Sequence, residues 1–201
     1  ALNLAFDFDW LNHNLFYQSY QRSHSFFTHS TFSATPSLSD EETTLLQPFS
    51  STLPETLWTE ITPPIENKSR IARMHAAQKF LDEAGWQVQG QYRYHVQTGQ
   101  RLQFTLIINS PAMQRVALPF QQNLEQLGIS MRVQMISPSD WIARIKKSDF
   151  DMTTYSWPAP SNPGREQFLY WHSSQAHRYG SLNIMGIEEP AVDALVSRIN
   201  S

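Results

Sequence analysis

The sequence lacks cysteine, long apolar runs and concentrated charge, and each absence excludes a class of protein. Without cysteine the chain has no disulfide, no thiol nucleophile and no cysteine-ligated zinc site. No apolar run approaches the ~20 residues that a membrane-spanning helix needs, so direct membrane insertion is not expected. The 15 lysines and arginines are scattered and the net charge is −3, so nucleic acid is not an expected partner.

Common catalytic signatures are also missing. The chain carries no G-x-S-x-G, P-loop or G-x-G-x-x-G motif. Its 7 histidines are dispersed without companion ligands, so neither a metal site nor a cofactor is predicted. The carboxylate pairs Asp7/Asp9 and Asp149/Asp151 point apart on a helix and repel on a strand, so solvated or salt-bridged roles are expected. The sequence therefore predicts a protein that is not an enzyme.

The clearest pattern is a strand, helix, strand unit. Residues 101–109 alternate between apolar and polar, which predicts a half-buried strand. A helix over 111–127 follows, with Ser110 as its cap, and residues 131–135 alternate again. Because a single helix between two strands makes a crossover connection, the strands are predicted to be parallel. Pro119 lies inside the helix and predicts a kink or a break.

A second helix and a third strand extend this unit. Trp141, Ile142 and Ile145 are expected to form the buried stripe of the helix, and 150–157 is expected to be the strand. The predicted fold class is therefore α/β, with a mixed, mainly parallel sheet and flanking helices. Ligands of such sheets lie beyond the carboxyl ends of the strands, which places the expected site at the loop 156–164.

The remaining segments are predicted with less periodicity to guide them. We expect helices over 1–16, 39–46, 70–84, 165–171 and 189–200, a β-hairpin over 86–96 and an extended segment over 182–187. The inward stripe of the 70–84 helix is expected to comprise Ile71, Met74, Phe80, Leu81 and Ala84. Residues 18–65 form a long tract rich in Ser, Thr and Pro whose aromatic residues predict packing instead of disorder.

The loop after the third strand is the best candidate for binding. It joins two aromatic side chains to a backbone stiffened by prolines, and a stiff backbone presents its polar groups at low entropic cost. Such a surface suits a peptide, which is recognised through its main chain and through side-chain pockets. The candidate residues are Tyr155, Ser156, Trp157, Pro158, Ala159 and Asn162. The alternative is that Trp157 belongs to the core and the prolines form a rigid turn.

Tyr20 and Arg22 form a second candidate at the start of the aromatic tract. The planar guanidinium of Arg22 suits a bidentate contact with a carboxylate. The alternative is that Arg22 is an ordinary surface arginine.

Two runs carry a specific resemblance, QNLEQLGISMRVQMISPSDWIARIKKSDFDMTTYSW and SLNIMGIEEPAVDALVSRI. They resemble the C-terminal lobe of the family 5 extracellular solute-binding proteins, the dipeptide and oligopeptide receptors of ABC importers. The opening ALNLAFDFDWLNHNLFY resembles the helix at the start of that lobe. YQRSHSFFTHSTFSATPSLSDEETTLLQPF and PGREQFLYW are most similar to the oligopeptide and microcin-C branch.

The resemblance implies a type II periplasmic-binding-protein-like lobe. Residues 1–201 are then expected to be one lobe of a larger two-lobed protein, and the uncapped helical spacing at both ends favours an excised lobe over frayed terminal helices. The implied partners are a peptide or peptide-like ligand and inner-membrane ABC permease subunits. The implied protein is a periplasmic monomer whose signal peptide has been removed. Two alternatives stay open, an α/β hydrolase or transferase using Asp151 or a histidine, and a non-catalytic interaction domain.

The loop departs from the family in one position. In many receptors that this chain resembles, Gly-Trp is followed by two residues and an Asp that neutralises the amino terminus of the ligand. Here Pro160 occupies the place of that acid. Because a buried ammonium group without a partner is costly, the resemblance implies a ligand with a blocked or solvated amino end, or an acid from the other lobe.

Overall fold

The alternating stretch after Gly99 forms the central strand of a parallel sheet. The computed structural model describes residues 1–23, 25–28, 30–35, 37–59, 69–158 and 163–199. In it, β3 (Gln103–Ile108) lies between β4 (Ser130–Met135) and β5 (Met152–Thr153), and both pairings are parallel. The predicted parallel arrangement is thus observed.

The third strand is shorter than the predicted 150–157. Only Met152 and Thr153 pair with β3, opposite Leu106 and Ile107. The preceding residue ends the ladder, because the Asp151 carboxylate accepts the Thr105 N–H at 2.8 Å in place of a backbone carbonyl. The Asp151 side chain therefore accepts the hydrogen bond that the prediction assigned to a main-chain carbonyl.

The first crossover helix, α5 (Pro111–Gln126), is continuous through Pro119, so the expected break is not present. The Ser110 hydroxyl accepts the Met113 N–H at 3.4 Å and caps the helix as predicted. An internal proline costs about 3 kcal/mol or more, and each buried large apolar side chain contributes about 1.5–3 kcal/mol. Burial of Phe120 and Leu124 on the same helix offsets that cost.

The second crossover helix, α6 (Pro138–Lys146), begins with a bond from the Asp140 N–H to the Ser137 hydroxyl at 3.1 Å. Ile145 is buried and Trp141 is half-buried, whereas Ile142 is 49% exposed. The predicted stripe was wrong at Ile142. Residues four apart share a helix face, and the next residue along the chain is turned about 100° away from that face.

The chain separates into two compact units, the first comprising Ala1–Arg22, Ile65–Ile142 and Phe150–Tyr155. Its amino-terminal segment forms α1 (Leu2–Ala5) and α2 (Phe8–Asn14) and not the single predicted helix. The reason is Asp7, whose carboxylate accepts the Trp10 N–H and starts a new helix. The core of the unit is apolar and includes Leu4, Ala5, Ala77, Leu81, Leu106, Ile108, Leu124, Leu127, Ile129 and Met131.

Helix α4 (Arg70–Glu83) presents a different face to the core than predicted. Ile71 is 70% exposed, Phe80 is 48% exposed and Ala84 is also exposed, so all three were wrongly assigned to the inward stripe. The buried positions are Arg73, Ala77 and Leu81. Arg73 can occupy an inward position because its guanidinium contacts the Asp7 carboxylate at 2.6 Å and that of Asp9 at 3.4 Å.

The predicted hairpin comprises β1 (Trp86–Gln89) and β2 (Tyr92–His95), paired antiparallel. Buried Arg93 fastens it to the helices. Its guanidinium donates to the Leu127 carbonyl at 2.7 Å, to the Asp82 carboxylate at 2.5 Å and to the Trp86 carbonyl. The hairpin is therefore held by a charged side chain that makes three hydrogen bonds.

The second unit comprises Ser23–Pro64, Ala143–Asp149 and Ser156–Ser201. Its helices are α3 (Asp40–Leu46), α7 (Glu166–Trp171) and α8 (Pro190–Ile199), with short 3-10 turns at Gln47–Phe49, Glu55–Trp58 and Ser173–Gln175. Helix α3 begins with a reciprocal capping box between Ser39 and Glu42. In the described part of the chain, no helix is long and apolar enough to cross a membrane.

Residues 182–187 are folded back and do not form the predicted extended segment. The Asn183 side chain donates to the Ile187 carbonyl and accepts the Ile187 N–H, both at 2.9 Å. These two bonds bring residues four apart together, which an extended backbone does not allow.

Candidate functional site

Tyr155 lies just beyond the carboxyl end of β5, in the first unit. Its ring stacks on Trp141 with the centroids 6.1 Å apart and the planes inclined by 19°. The Trp141 indole donates to the Thr153 hydroxyl at 2.8 Å, and that hydroxyl donates to the Ile107 carbonyl at 3.1 Å. The sheet edge thus fixes an aromatic pair at the place where the sequence predicted a ligand site.

Trp157 belongs to the second unit and is half-buried, so it is neither a fully buried core residue nor a fully exposed one. Its indole N–H donates to the Leu182 carbonyl at 3.1 Å. Its neighbours Ser156 and Pro158 are exposed. The predicted site residues Ala159 and Asn162, like Pro160, lie outside the described residues.

Trp157 is one end of a run of ring contacts within the second unit, which we call the aromatic row. The ring centroids are 5.3 Å apart for Trp157 and Trp171, 5.1 Å for Trp171 and Phe26, 4.9 Å for Phe26 and Phe27, and 6.3 Å for Phe27 and Phe32. Phe26 is 41% exposed and Phe32 is 48% exposed. The row therefore joins the predicted loop to the predicted aromatic tract and leaves ring surface open to solvent.

Helix α7 supports the aromatic row through a hydrogen bond between two of its own side chains. The Trp171 indole donates to Gln167 Oε1 at 2.8 Å, and Gln167 is only 2% exposed. Sequence reasoning missed both residues as site components. Their four-residue spacing on one helix face was the available indication, because it predicts that the two side chains meet.

A carboxylate lies beside this pair. Glu166 Oε1 accepts the Gly164 N–H at 2.7 Å and the Gln167 amide N–H at 3.2 Å. The bond from Gly164, followed by those from the Glu166 N–H and Gln167, lowers the pKa of Glu166 below its ordinary value. Glu166 is therefore ionised at neutral pH.

Buried Asn183 holds the backbone next to Leu182, whose carbonyl accepts the Trp157 indole N–H. In addition to its two bonds with Ile187, its amide donates to the His172 carbonyl at 3.2 Å. Asn183 is 2% exposed, and its partners His172 and Ile187 are half-buried. Leu182, the acceptor for Trp157, is thereby held by its neighbour in the chain.

Tyr20 and Arg22 lie in the first unit. The Arg22 guanidinium lies 5.1 Å from the centre of the Phe8 ring and donates to Asn3 Oδ1 at 3.4 Å. Tyr20 is 58% exposed, and its ring packs 4.8 Å from that of Phe16. The structure therefore groups these two predicted residues with the amino-terminal helices.

The groups proposed for catalysis have structural partners instead. Asp151 is occupied by the Thr105 N–H, as described above. His172 Nδ1 accepts the Ser174 N–H at 3.1 Å and lies 3.8 Å from the Asp193 carboxylate. The Ser173 hydroxyl donates to Asp193 at 2.5 Å, which is not the order of a Ser-His-Asp triad. Within the described ranges, no group of three acidic or histidine side chains could hold a metal ion.

A cavity of about 500 Å³ lies in the first unit. It is lined by the hairpin and by Leu127–Ser130, where β4 begins. Ligands of parallel sheets lie at the opposite, carboxyl end of the strands. We therefore assign no binding role to this cavity.

Comparison with known proteins identifies a family. Residues 1–180 match the model of the bacterial extracellular solute-binding proteins, family 5 Middle. The chain is 37% identical over 202 residues to a probable peptide-binding protein, YejA, of Agrobacterium fabrum, with 99% of this chain and 33% of the relative covered. The chain thus spans about a third of the length of the curated relatives that it matches.

Solved structures show the same fold. The unliganded open form of the periplasmic murein tripeptide binding protein MppA matches 98% of this chain and 31% of its own, with a TM-score of 0.62 and 18% identity. The oligopeptide-binding protein AppA of Bacillus subtilis, in complex with a nonapeptide, matches 70% of this chain and 27% of its own, with a TM-score of 0.57 and 24% identity. The prediction of an α/β, type II periplasmic-binding-protein-like fold is confirmed.

Proposed function

The chain belongs to the bacterial extracellular solute-binding proteins of family 5, and we propose on that premise that it is one lobe of a two-lobed peptide receptor. The receptor binds peptides or peptide-like molecules and delivers them to inner-membrane ABC permease subunits. The match over residues 1–180 carries this proposal. The relative in Agrobacterium fabrum, described as a probable peptide-binding protein, supports peptides as the ligand class.

The family is one of binding proteins, so the prediction that the chain is not an enzyme is confirmed. The alternatives of a hydrolase, a transferase or a bare interaction domain are not favoured. The arrangement of Asp151 and His172 agrees with this, because both groups are engaged in bonds that maintain the fold.

The aromatic row is the part of this lobe that we assign to the ligand. Half-exposed rings offer large contact area at low entropic cost, and peptide receptors take side chains into such surfaces. The other proposed contact residues are Tyr155, Ser156, Pro158, Ala159, Asn162, Tyr20 and Arg22.

The surroundings of the receptor follow from the same premise. The family is extracellular, and we place this member in the periplasm as a monomer. Neither nucleic acid nor membrane insertion is part of the proposed function.

Isothermal titration of the full-length protein with alanine pentapeptides tests the proposal. We expect saturable binding, and we expect chromatography of the same mixtures to recover the peptides intact. Cleavage of the peptides, or the absence of heat with every peptide of two to nine residues, would contradict a peptide receptor. A Phe80→Ser variant, altered on α4 of the first unit, serves as the control and should bind like the parent.

A further inference from the structure

The polar atoms of the aromatic row indicate which ligand side chains it accepts. Both indole N–H groups are used within the protein, by the Leu182 carbonyl at 3.1 Å and by Gln167 Oε1 at 2.8 Å. A ligand hydroxyl placed on the row would lose water without gaining either donor, which is unfavourable. A glycan, whose surface is covered with hydroxyls, therefore fits the row poorly.

The charges near the aromatic row further limit the ligand side chains that it can bind. None of the five rings of the row carries a formal charge. The Glu166 carboxylate accepts a hydrogen bond at 3.2 Å from Gln167, the residue that holds Trp171 in the row. Like charges repel, so an acidic side chain is disfavoured there.

The ring geometry also reduces the ring surface that is available to a cation. The planes meet at 90° for Trp171 and Phe26 and at 83° for Phe26 and Phe27, so the positive edge of one ring meets the negative face of the next. A neighbouring edge leaves less of that face for a cation. The ring surface that stays exposed is suited to apolar contact.

We propose that the aromatic row is a subsite for an uncharged apolar side chain of the ligand, either aromatic or branched aliphatic. This proposal rests on the proposed function, because it assigns a specificity to the same site. The exposed fractions of Phe26 (41%) and Phe32 (48%) provide the surface on which the side chain would lie.

The test uses the full-length protein and alanine pentapeptides that carry one Phe, Leu, Ser, Lys or Glu at each position in turn. Burying a Phe or Leu side chain corresponds to about a 10- to 100-fold gain in affinity. We expect that gain over the Ser peptide at one position, and weaker binding of the Lys and Glu peptides there. An N-acetylglucosamine tetramer should not compete.

Two substitutions locate the preference. Phe26→Ser, at an exposed position of the row, should remove most of the gain of the Phe peptide over the Ser peptide. Phe80→Ser, at a similarly exposed position outside the row, should leave the gain unchanged. Phe32→Ser, at the other exposed ring of the row, tests the same point if Phe26→Ser is poorly folded.

The outcomes separate this inference from the proposed function. If the peptides bind but Phe, Ser and Lys bind equally, or Lys binds best, the subsite assignment is wrong and the receptor assignment stands. A tetrasaccharide that binds more tightly than the Phe peptide also overturns the subsite. If no peptide binds at all, both proposals fail.

Discussion

Asn183→Ala should be among the more damaging single substitutions in the second unit, although it removes only a small polar side chain. Asn183 is 2% exposed and makes three side-chain hydrogen bonds, to His172 and to both backbone groups of Ile187. Alanine leaves these half-buried backbone groups without their side-chain partner, at up to about 1–3 kcal/mol for each unsatisfied group, reduced by any relaxation or water entry. We expect a net loss of about 3–5 kcal/mol.

Urea unfolding of the full-length protein, followed by circular dichroism, measures this loss, and tryptophan emission reports on Trp157 through the Leu182 carbonyl. Asn14→Ala is the matched control, because Asn14 is exposed and makes one bond, to the Trp10 carbonyl at 2.8 Å. It should cost less than about 1 kcal/mol. Equal losses for the two variants would refute the reasoning, since they would mean that the buried Asn183 network adds nothing.

Three further predictions concern single groups. Because the folded-state pKa of Glu166 is lowered, its bonds with Gly164 and Gln167 add stability above the ordinary pKa of 4.5, and this is lost as the pH falls through the lower folded value. Carbon-13 NMR should therefore place the Glu166 midpoint below 4.5; a midpoint at or above that value would be inconsistent with these bonds. Arg93→Met should destabilise the first unit by about 2–4 kcal/mol in urea unfolding, because it leaves the Leu127 and Trp86 carbonyls unpaired. The control Arg132→Met, at an exposed position, should change stability by less than about 0.5 kcal/mol. Equal effects of the two substitutions would argue against a stabilising role of the Arg93 bonds. Trp157→Ala should weaken peptide binding by about 1–3 kcal/mol in calorimetry. Trp157→Phe should have an intermediate effect because it keeps a ring beside Trp171. Unaltered affinity with a large fall in melting temperature would show that Trp157 acts as a core residue instead.

The sequence predicted the parts of the fold that depend on local pattern. The alternation around Leu106 and the cap at Ser110 both depend on residues a few positions apart, and both appear as expected. The errors at Ile71, Phe80 and Ile142 have a different origin. Which helix face is buried depends on distant partners, as when Asp7 neutralises Arg73 and allows a charged residue to face inward.

The candidate site shows the same division. Trp157 was named because aromatic residues and prolines cluster after a predicted strand. Its contact with Trp171, and that of Trp171 with Phe26, joins segments far apart in the chain, and no local pattern predicts such a contact. Gln167 and Asn183 were missed because their polar side chains gave no indication of burial before their hydrogen-bond partners were known.

Hydrogen exchange of the full-length protein, with and without a saturating alanine pentapeptide that carries one Phe, tests the central claim most directly. The account predicts that the peptide slows exchange in the segments 156–158 and 164–171, which hold Trp157 and Trp171, and leaves the hairpin 86–95 unchanged. Protection confined to the hairpin and Leu127–Ser130, or no protection anywhere in 1–201, would contradict the assignment of this lobe and its aromatic row to ligand binding.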